Sequence, residues 1–399
     1  MMLRHLFKLT WKRKSRNLML SLEILLAFAI VFGIAAFALR SWQLYQAPLG
    51  FDGSDAWAVQ MRIGDVPDSA IPADVYDLLR RSLLALPEVR AVGFATSAPY
   101  RDSTWSTEFQ SPQTGASVST NAIDASDGVA DALGLKLVQG RWFNAADEGA
   151  LVQPAVLNRR MAAALFPGRP ALGRRFTATR HGGARTLQVV GLIDDLRNRG
   201  PFMTPTNITL LRFAPHTTPS RVRAILLRVA PGTPRAFEVR LNRQLKGVRN
   251  DWSYEIAPLQ ATRAAQMREK LVPLTVLSVI AAFMLAMVGF GLFGVLWQNT
   301  TLRIPEIGLR RAVGASAASI YRQIVAEQLL LSSVAMAVAL ALLVQLPLTG
   351  ALGETLNWTV FGAAAAASMG VIYLLSLLCA LYPGWRASRL TPTEALHYE

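Results

Sequence analysis

A single cysteine, Cys379, in a chain of 399 residues excludes an intrachain disulfide, so any large folded part must hold together through its own apolar core. The four histidines, His5, His181, His216 and His397, are too few and too scattered for a metal-ligand pattern. No G-x-x-x-x-G-K-[ST] stretch occurs, so these residues supply no phosphate-cradling P-loop. G-x-S-x-G, H-E-x-x-H and C-x-x-C are missing as well. One adjacent acidic pair, Asp194-Asp195, could suggest acid–base chemistry, but neighbouring residues of a strand point to opposite faces. The pair also leads into Arg197, Asn198, Arg199 and Gly200, which reads as a solvated turn. No catalytic, cofactor-binding or metal-binding set is expected in this chain.

Apolar sequence is abundant instead: 52% of residues are hydrophobic and the mean hydropathy is +0.30. Runs at 18–39, 272–297, 324–346 and 359–382 each reach the roughly 20 residues that a helix needs to cross a bilayer. Between the first two lie roughly 230 residues of ordinary globular composition, 40–271. The expected fold is therefore an α-helical membrane protein with four transmembrane helices and one large α+β extracytoplasmic domain. Ala36-Phe37-Ala38 has the small-x-small form of a signal cleavage site, but the preceding run of about 22 residues exceeds the usual 7–15, so a retained anchor is expected.

The net charge is +15, and 35 of the 41 basic residues are arginine. Their placement matters more than their sum. Arg4, Lys8, Lys12, Arg13, Lys14 and Arg16 precede the first run without an acid; Arg303, Arg310, Arg311 and Arg322 stand against Glu306 in the 298–323 loop; Arg386 and Arg389 begin the 383–399 tail. Short basic flanks stay in the cytoplasm, which puts both termini and the 298–323 loop inside and the large domain and the 347–358 turn outside. The dispersed arginines carry no nucleic-acid recognition motif; membrane lipids are the expected polyanion. Residues 1–17, with Leu3, Leu6, Phe7, Leu9 and Trp11 among the cations, read equally as an amphipathic interfacial helix or as a plain positive flank.

In the large domain, alternation at Trp57, Val59, Met61 and Ile63 predicts a strand, 71–86 a helix and 89–96 a strand. A second β-α-β unit follows at 221–229, 235–248 and 252–258. Together they predict a ferredoxin-like lobe. The intervening 97–207 predicts a second, β-rich lobe, with a strand running into a short helix at 154–168 and strands at 172–177 and 185–197. From Leu259 to about Thr301 the pattern is helical throughout, which would extend about 15 Å beyond the membrane as a stalk, with Pro273 as a kink.

Two acids, Glu23 and Glu327, fall within one or two turns of the expected cytoplasmic boundary, where interfacial exposure or pairing with an arginine is expected. Gly289, Gly291 and Gly294, with Gly362, Ala363 to Ala367, Ser368 and Gly370, suit close helix packing.

The 298–323 loop is neither apolar nor irregular. Pro305 suits a first helical turn, Glu306 and Arg310 are four apart, and Leu309 and Val313 form an apolar stripe. Gly314 can end the helix in a left-handed conformation, and Ser316 can cap the next. The result is a short knob, either docking a cytoplasmic partner or lying on acidic headgroups.

"EIGLRRAVGAS" (306–316) resembles a segment of the MacB/FtsX-type ABC transporter permeases. The tail "YPGWRASRLTPTEALHYE" (382–399) and the stretches "PAVLNRRMAAALFPGRPALGRRF" (154–176) and "VVGLIDDLRNRG" (189–200) are similar to the same family, as is the order of one span, outer domain and three spans. The resemblance implies that Glu306, Ile307, Gly308, Leu309, Arg310, Arg311, Ala312, Val313, Gly314 and Ala315 form a coupling helix docking on a separate ATPase chain. That chain would hold ATP and Mg. The resemblance further implies a second permease copy or a paralogue, a bacterial inner-membrane location and transmission of ATP-driven motion to the periplasmic domain. Export of a peptide, antibiotic or other cargo, with a periplasmic adaptor and outer-membrane channel, is the leading expectation. Lipoprotein extraction and signalling to a cell-wall hydrolase are the alternatives within the family. A membrane-anchored sensor or scaffold is the alternative outside it.

Overall fold

In a computed structural model the chain runs α1 (Lys14–Gln46), β1 (Ala56–Arg62), α2 (Asp74–Leu84), β2 (Val89–Ala95), β3 (Ser106–Gln110), β4 (Ser117–Ala125), α3 (Val129–Leu133), β5 (Leu137–Gly140), β6 (Gln153–Asn158), α4 (Arg159–Leu165), β7 (Arg175–Arg180), β8 (Gly183–Ile193), β9 (Ile208–Arg212), β10 (Ala224–Val229), α5 (Phe237–Val248), β11 (Ser253–Pro258), α6 (Leu259–Thr301), α7 (Ile304–Ala312), α8 (Ala317–Leu343), α9 (Gln345–Thr349) and α10 (Trp358–Arg389). The structure describes residues 14–64, 67, 71–101, 106–180, 183–215, 222–350 and 356–389. Residues 1–13 of the expected amphipathic segment 1–17, all four histidines and the tail motif from 390 onward lie outside them. The chain divides into an inserted unit, Leu44–Lys270, and a helical unit made of its flanks.

In the inserted unit, β11, β1, β10 and β2 lie side by side in that order, all antiparallel. Trp57, Val59 and Met61 of β1 share a core with Leu79 and Leu83 of α2 and with Phe237, Leu241 and Leu245 of α5, so both helices cover one face. Ala58, Ala95 and Leu226 belong to the opposite core, where α3 supplies Val129, Ala132 and Leu133. Two glycines permit that approach: a Cβ on Gly93 would strike the backbone of Val129, and one on Gly128 the carbonyl of Val92. Both faces are thus buried, which explains why β1 has few exposed positions.

The segment between β2 and β10 forms a ring. β4 pairs β3, β3 pairs β7, β7 pairs β8, β8 pairs β6, β6 pairs β9, and β9 returns to β4 in parallel. The six strands enclose Phe109, Leu157, Phe176, Leu187 and Val189 with Met161 and Leu165 of α4. The ring joins the sheet where Ala95 pairs with Ala125, with Thr96 N–H donating to Asp124 O and Ser126 N–H to Phe94 O alongside. Sequence patterning located β6, α4, β7 and β8 but not β3, β4, β5 or β9. Polar β3 and β4 have half-exposed patterns, and β9 is buried on both sides, so none shows plain alternation.

Asp52 illustrates the electrostatics of this unit. Ser54 donates to its carboxylate from both hydroxyl and backbone N–H, at 2.7 and 2.9 Å, and Arg228 reaches it at 2.9 Å. These hold its carboxyl at about 2 instead of 3.8. A folded-state value below the unfolded one stabilises the fold above the unfolded value, and that contribution is lost as pH falls from about 4 to about 2. Asp52→Asn should therefore flatten the acid limb of unfolding in that window, read from tryptophan fluorescence against pH.

In the helical unit, α1, α6, α8 and α10 are long and apolar enough to cross a membrane. α6 continues through Pro273. Ile24, Phe28 and Phe32 of α1 share a core with Leu292 of α6, Met336 and Ala339 of α8, and Phe361 and Ala364 of α10. Side-chain hydrogen bonds tie α8 to α10, Ser332 to Ser376 and Ser333 to Tyr373, both at 2.8 Å. Ala364, Ala365 and Ser368 are buried as their size suits, whereas Gly362 and Gly370 have open space where a side chain would go. The free cysteine is buried, and its thiol donates to the Gly289 carbonyl at 3.3 Å.

Candidate functional site

Glu306 through Ala312 lie in α7, Val313 is its C-cap, and Gly314 and Ala315 follow. Pro305 occupies the first turn, where its missing N–H is no loss. At the other end Gly314 has φ +103°, its N–H donates to Arg311 O at 3.1 Å, and that of Ala315 to Arg310 O at 3.0 Å. This pair of crossed bonds is a Schellman ending, which requires a left-handed residue at that point. Ser316 then caps α8, its hydroxyl accepting from Ser319 N at 3.2 Å.

The two faces of α7 differ in what they meet. Ile304, Ile307 and Gly308 point inward. Ile307 packs with Ile320 and Ile324 of α8 and Ala387 of α10. The opposite side presents Pro305, Leu309, Ala312 and Val313, all exposed, with Leu309 at 62% and Val313 at 83%, and it continues from an exposed Leu302 in the turn before the helix. Spacing of three and four places these on one stripe. The sequence identified only Leu309 and Val313 of it.

The charged groups beneath are occupied within the chain. Arg310 donates to Glu306 at 2.6 Å and to Gln323 at 2.8 Å; Gln323 donates to Glu327 at 2.9 Å; Glu327 also accepts from Arg303, the N-cap of α7. Arg303 and Glu327 are mostly buried, at 19% and 14% side-chain exposure. A continuous polar chain thus locks α7 to α8. The Arg310 guanidinium is thus shared between two side chains of its own protein. Glu327 pairs with an arginine as expected.

In the inserted unit the structure brings forward a residue that patterning misread. β8 ends at Ile193, and Arg197 and Asn198, expected in a solvated turn, are buried, Arg197 to 1% exposure. Its guanidinium donates to Pro48 O at 3.0 Å, Leu44 O at 2.6 Å, Pro201 O at 2.8 Å and Ala47 O. Three of these carbonyls belong to the last turn of α1 and its exit, where orphan acceptors and the negative helix end favour a cation. Gln266 of α6 donates to Arg199 O at 2.6 Å in the same loop, and Arg263 of α6 lies 5.9 Å from the ring of Tyr45. One loop therefore holds the end of α1 and the start of α6. A polar residue that buries itself in carbonyls leaves no local sequence signal.

Among the described residues no group of histidines, cysteines and carboxylates could hold a metal. Asp194 is exposed and lies 3.5 Å from Arg159, and Asp195 accepts from Asn158, so the acidic pair is split between two partners.

Residues 24–243, more than half of the chain, match the MacB-like periplasmic core domain, and residues 278–392 match the FtsX-like permease C-terminal domain. The macrolide export ATP-binding/permease protein MacB of Agrobacterium fabrum is 25% identical across 97% of this chain and 59% of its own length. MacB 1/2 of Paracoccus denitrificans is 30% identical over 50% of this chain and 30% of its own length, and the pyoverdine export protein PvdT of Pseudomonas putida 28% over 66% and 40%. The chain thus spans less than two thirds of the length of each of these relatives. The periplasmic region of MacB from Actinobacillus actinomycetemcomitans aligns with 57% of this chain and 98% of that structure, at 16% identity and a TM-score of 0.40. The chain belongs to the MacB-like family of ABC transporter permeases.

Proposed function

We propose that this protein is a non-catalytic permease subunit whose α7 docks on a separate cytoplasmic ABC ATPase and passes its motion to the inserted unit. The observation that carries the reading is the two-sided α7. A helix with one apolar face packed on its own protein and a second, exposed one has a surface whose burial is favourable only with a partner. Glu306, Ile307, Gly308, Leu309, Arg310, Arg311, Ala312, Val313, Gly314 and Ala315 make the docking element, with Leu309 and Val313 entering an apolar groove. Arg310 and Arg311 would meet acidic residues on the rim of that groove.

In this reading the protein sits in the bacterial inner membrane with both termini and α7 in the cytoplasm and the inserted unit in the periplasm. ATP and Mg belong to the partner. The strand order β11-β1-β10-β2, with α2 and α5 on one face, supports a ferredoxin-like lobe carrying the six-stranded ring as its insertion. The names of the relatives record macrolide and pyoverdine export for those proteins, which favours export of a periplasmic cargo here.

The test is a mild-detergent pull-down of the tagged chain from its native host. An ATPase with two permease copies, or with this chain and a paralogue, is expected. An accompanying adaptor and outer-membrane channel would specify export, a cell-wall hydrolase would specify signalling, and lipoprotein would specify extraction. Recovery of the chain alone after crosslinking would overturn the reading in favour of a sensor or scaffold.

A further inference from the structure

Glu23 lies inside α1, nine residues beyond its first, and has no hydrogen-bond or ion-pair partner among the described residues. It stands at one end of a groove of about 140 Å³ whose other walls are apolar: Leu26 and Ile30 from α1, and Met284, Leu285 and Val288 from α6. On each helix the lining recurs at three- and four-residue spacing, so a single face of α1 opposes a single face of α6. Gly291, one turn beyond Val288, makes room for the carboxylate; the Cβ of any other residue would collide with Glu23 Oε1. Glu23 is part-buried against apolar neighbours, and no side chain of the described residues offers its carboxylate a counter-charge.

We propose that this groove binds an amphiphilic amine, an apolar chain along α1 and α6 ending in a protonated amine at Glu23. Charge and shape both select for it. Anionic and neutral amphiphiles lack the counter-charge, and a soluble cation lacks the chain that the apolar walls would cover. Two sources share this chemistry: a membrane phospholipid with a primary-amine headgroup and a freely diffusing alkylamine.

The test uses the full chain in phosphatidylcholine nanodiscs and a photoreactive hexadecylamine, with the equal-length alcohol as control. Labelled peptides should come from residues 23–31 and 281–288, with about tenfold more label from the amine than from the alcohol, a ratio that corresponds to about 1.4 kcal/mol. Glu23→Gln, nearly the same shape without the charge, should bring the amine down to the level of the alcohol. Gly291→Ala should do the same by displacing the carboxylate. Competition by phosphatidylethanolamine would identify a membrane lipid as the ligand, and its failure a diffusing amine. Equal labelling by amine and alcohol, or labelling unchanged in Glu23→Gln, would overturn the proposal. So would protein–protein crosslinks across the groove in place of label, which would make a second copy the occupant.

Discussion

Leu309→Asp should leave the protein inserted and folded yet abolish stimulation of the ATPase proposed as its partner. Leu309 is 62% exposed and belongs to no core among the described residues, so its replacement removes little from the fold. In the docked state the same side chain would be covered. Losing its burial and placing a carboxylate there together cost about 3 kcal/mol, on the order of a hundredfold in affinity. Copurification with the ATPase and its hydrolysis rate would both fall. Leu309→Met, similar in volume and apolarity, should retain both. An aspartate variant that still copurifies and still stimulates hydrolysis would remove α7 from the interface. Arg310→Gln separates contact from transmission: the exposed stripe survives, but the ties to Glu306 and Gln323 are lost. Copurification should persist in that variant while coupling weakens.

Arg197→Met should lower the melting point of the inserted unit by about 10 °C. Methionine fills much of the space but donates nothing, which leaves the carbonyls of Leu44, Ala47, Pro48 and Pro201 without the guanidinium. Each buried acceptor left unsatisfied costs about 1–3 kcal/mol, and partial rescue by water brings the total to about 4 kcal/mol. For a unit of this size that corresponds to the stated shift. Arg197→Lys should fall between, since an ammonium cannot span all four acceptors. Hydrogen exchange on the full chain would localise the effect: amides near 47–50 and 197–203 should open first, while β1 and β10 stay protected until global unfolding. A shift below about 2 °C would mean that the carbonyls find other donors.

The features that were legible in the sequence depend on neighbours along the chain. A run of apolar residues long enough for a bilayer favours a helix because hydrocarbon leaves backbone groups no other partner, so four helices long and apolar enough to cross a membrane were legible from composition alone. The break after α7 was legible for the same reason: Pro305, Gly314 and Ser316 act through their own backbone within a few residues. The two β-α-β patterns likewise carried their local periodicities into β1, α2 and β2 and into β10, α5 and β11.

What the tertiary structure alone decided joins residues far apart. The ring closes when Asn121–Ala125 pairs in parallel with Ile208–Arg212, and nothing in either segment names the other. The polar chain from Arg303 through Glu327 and Gln323 to Arg310 depends on how α7 lies against α8, and that packing leaves Leu302, Pro305, Leu309, Ala312 and Val313 as the outward face. Burial of Arg197 depends on the end of α1 arriving from about 150 residues earlier to present its carbonyls. Local chemistry determined which segments are helices and where they stop. Which polar groups are consumed inside the protein, and which surface is left exposed, was decided only by long-range packing, because a charge has no preferred destination until the fold brings its acceptors within reach.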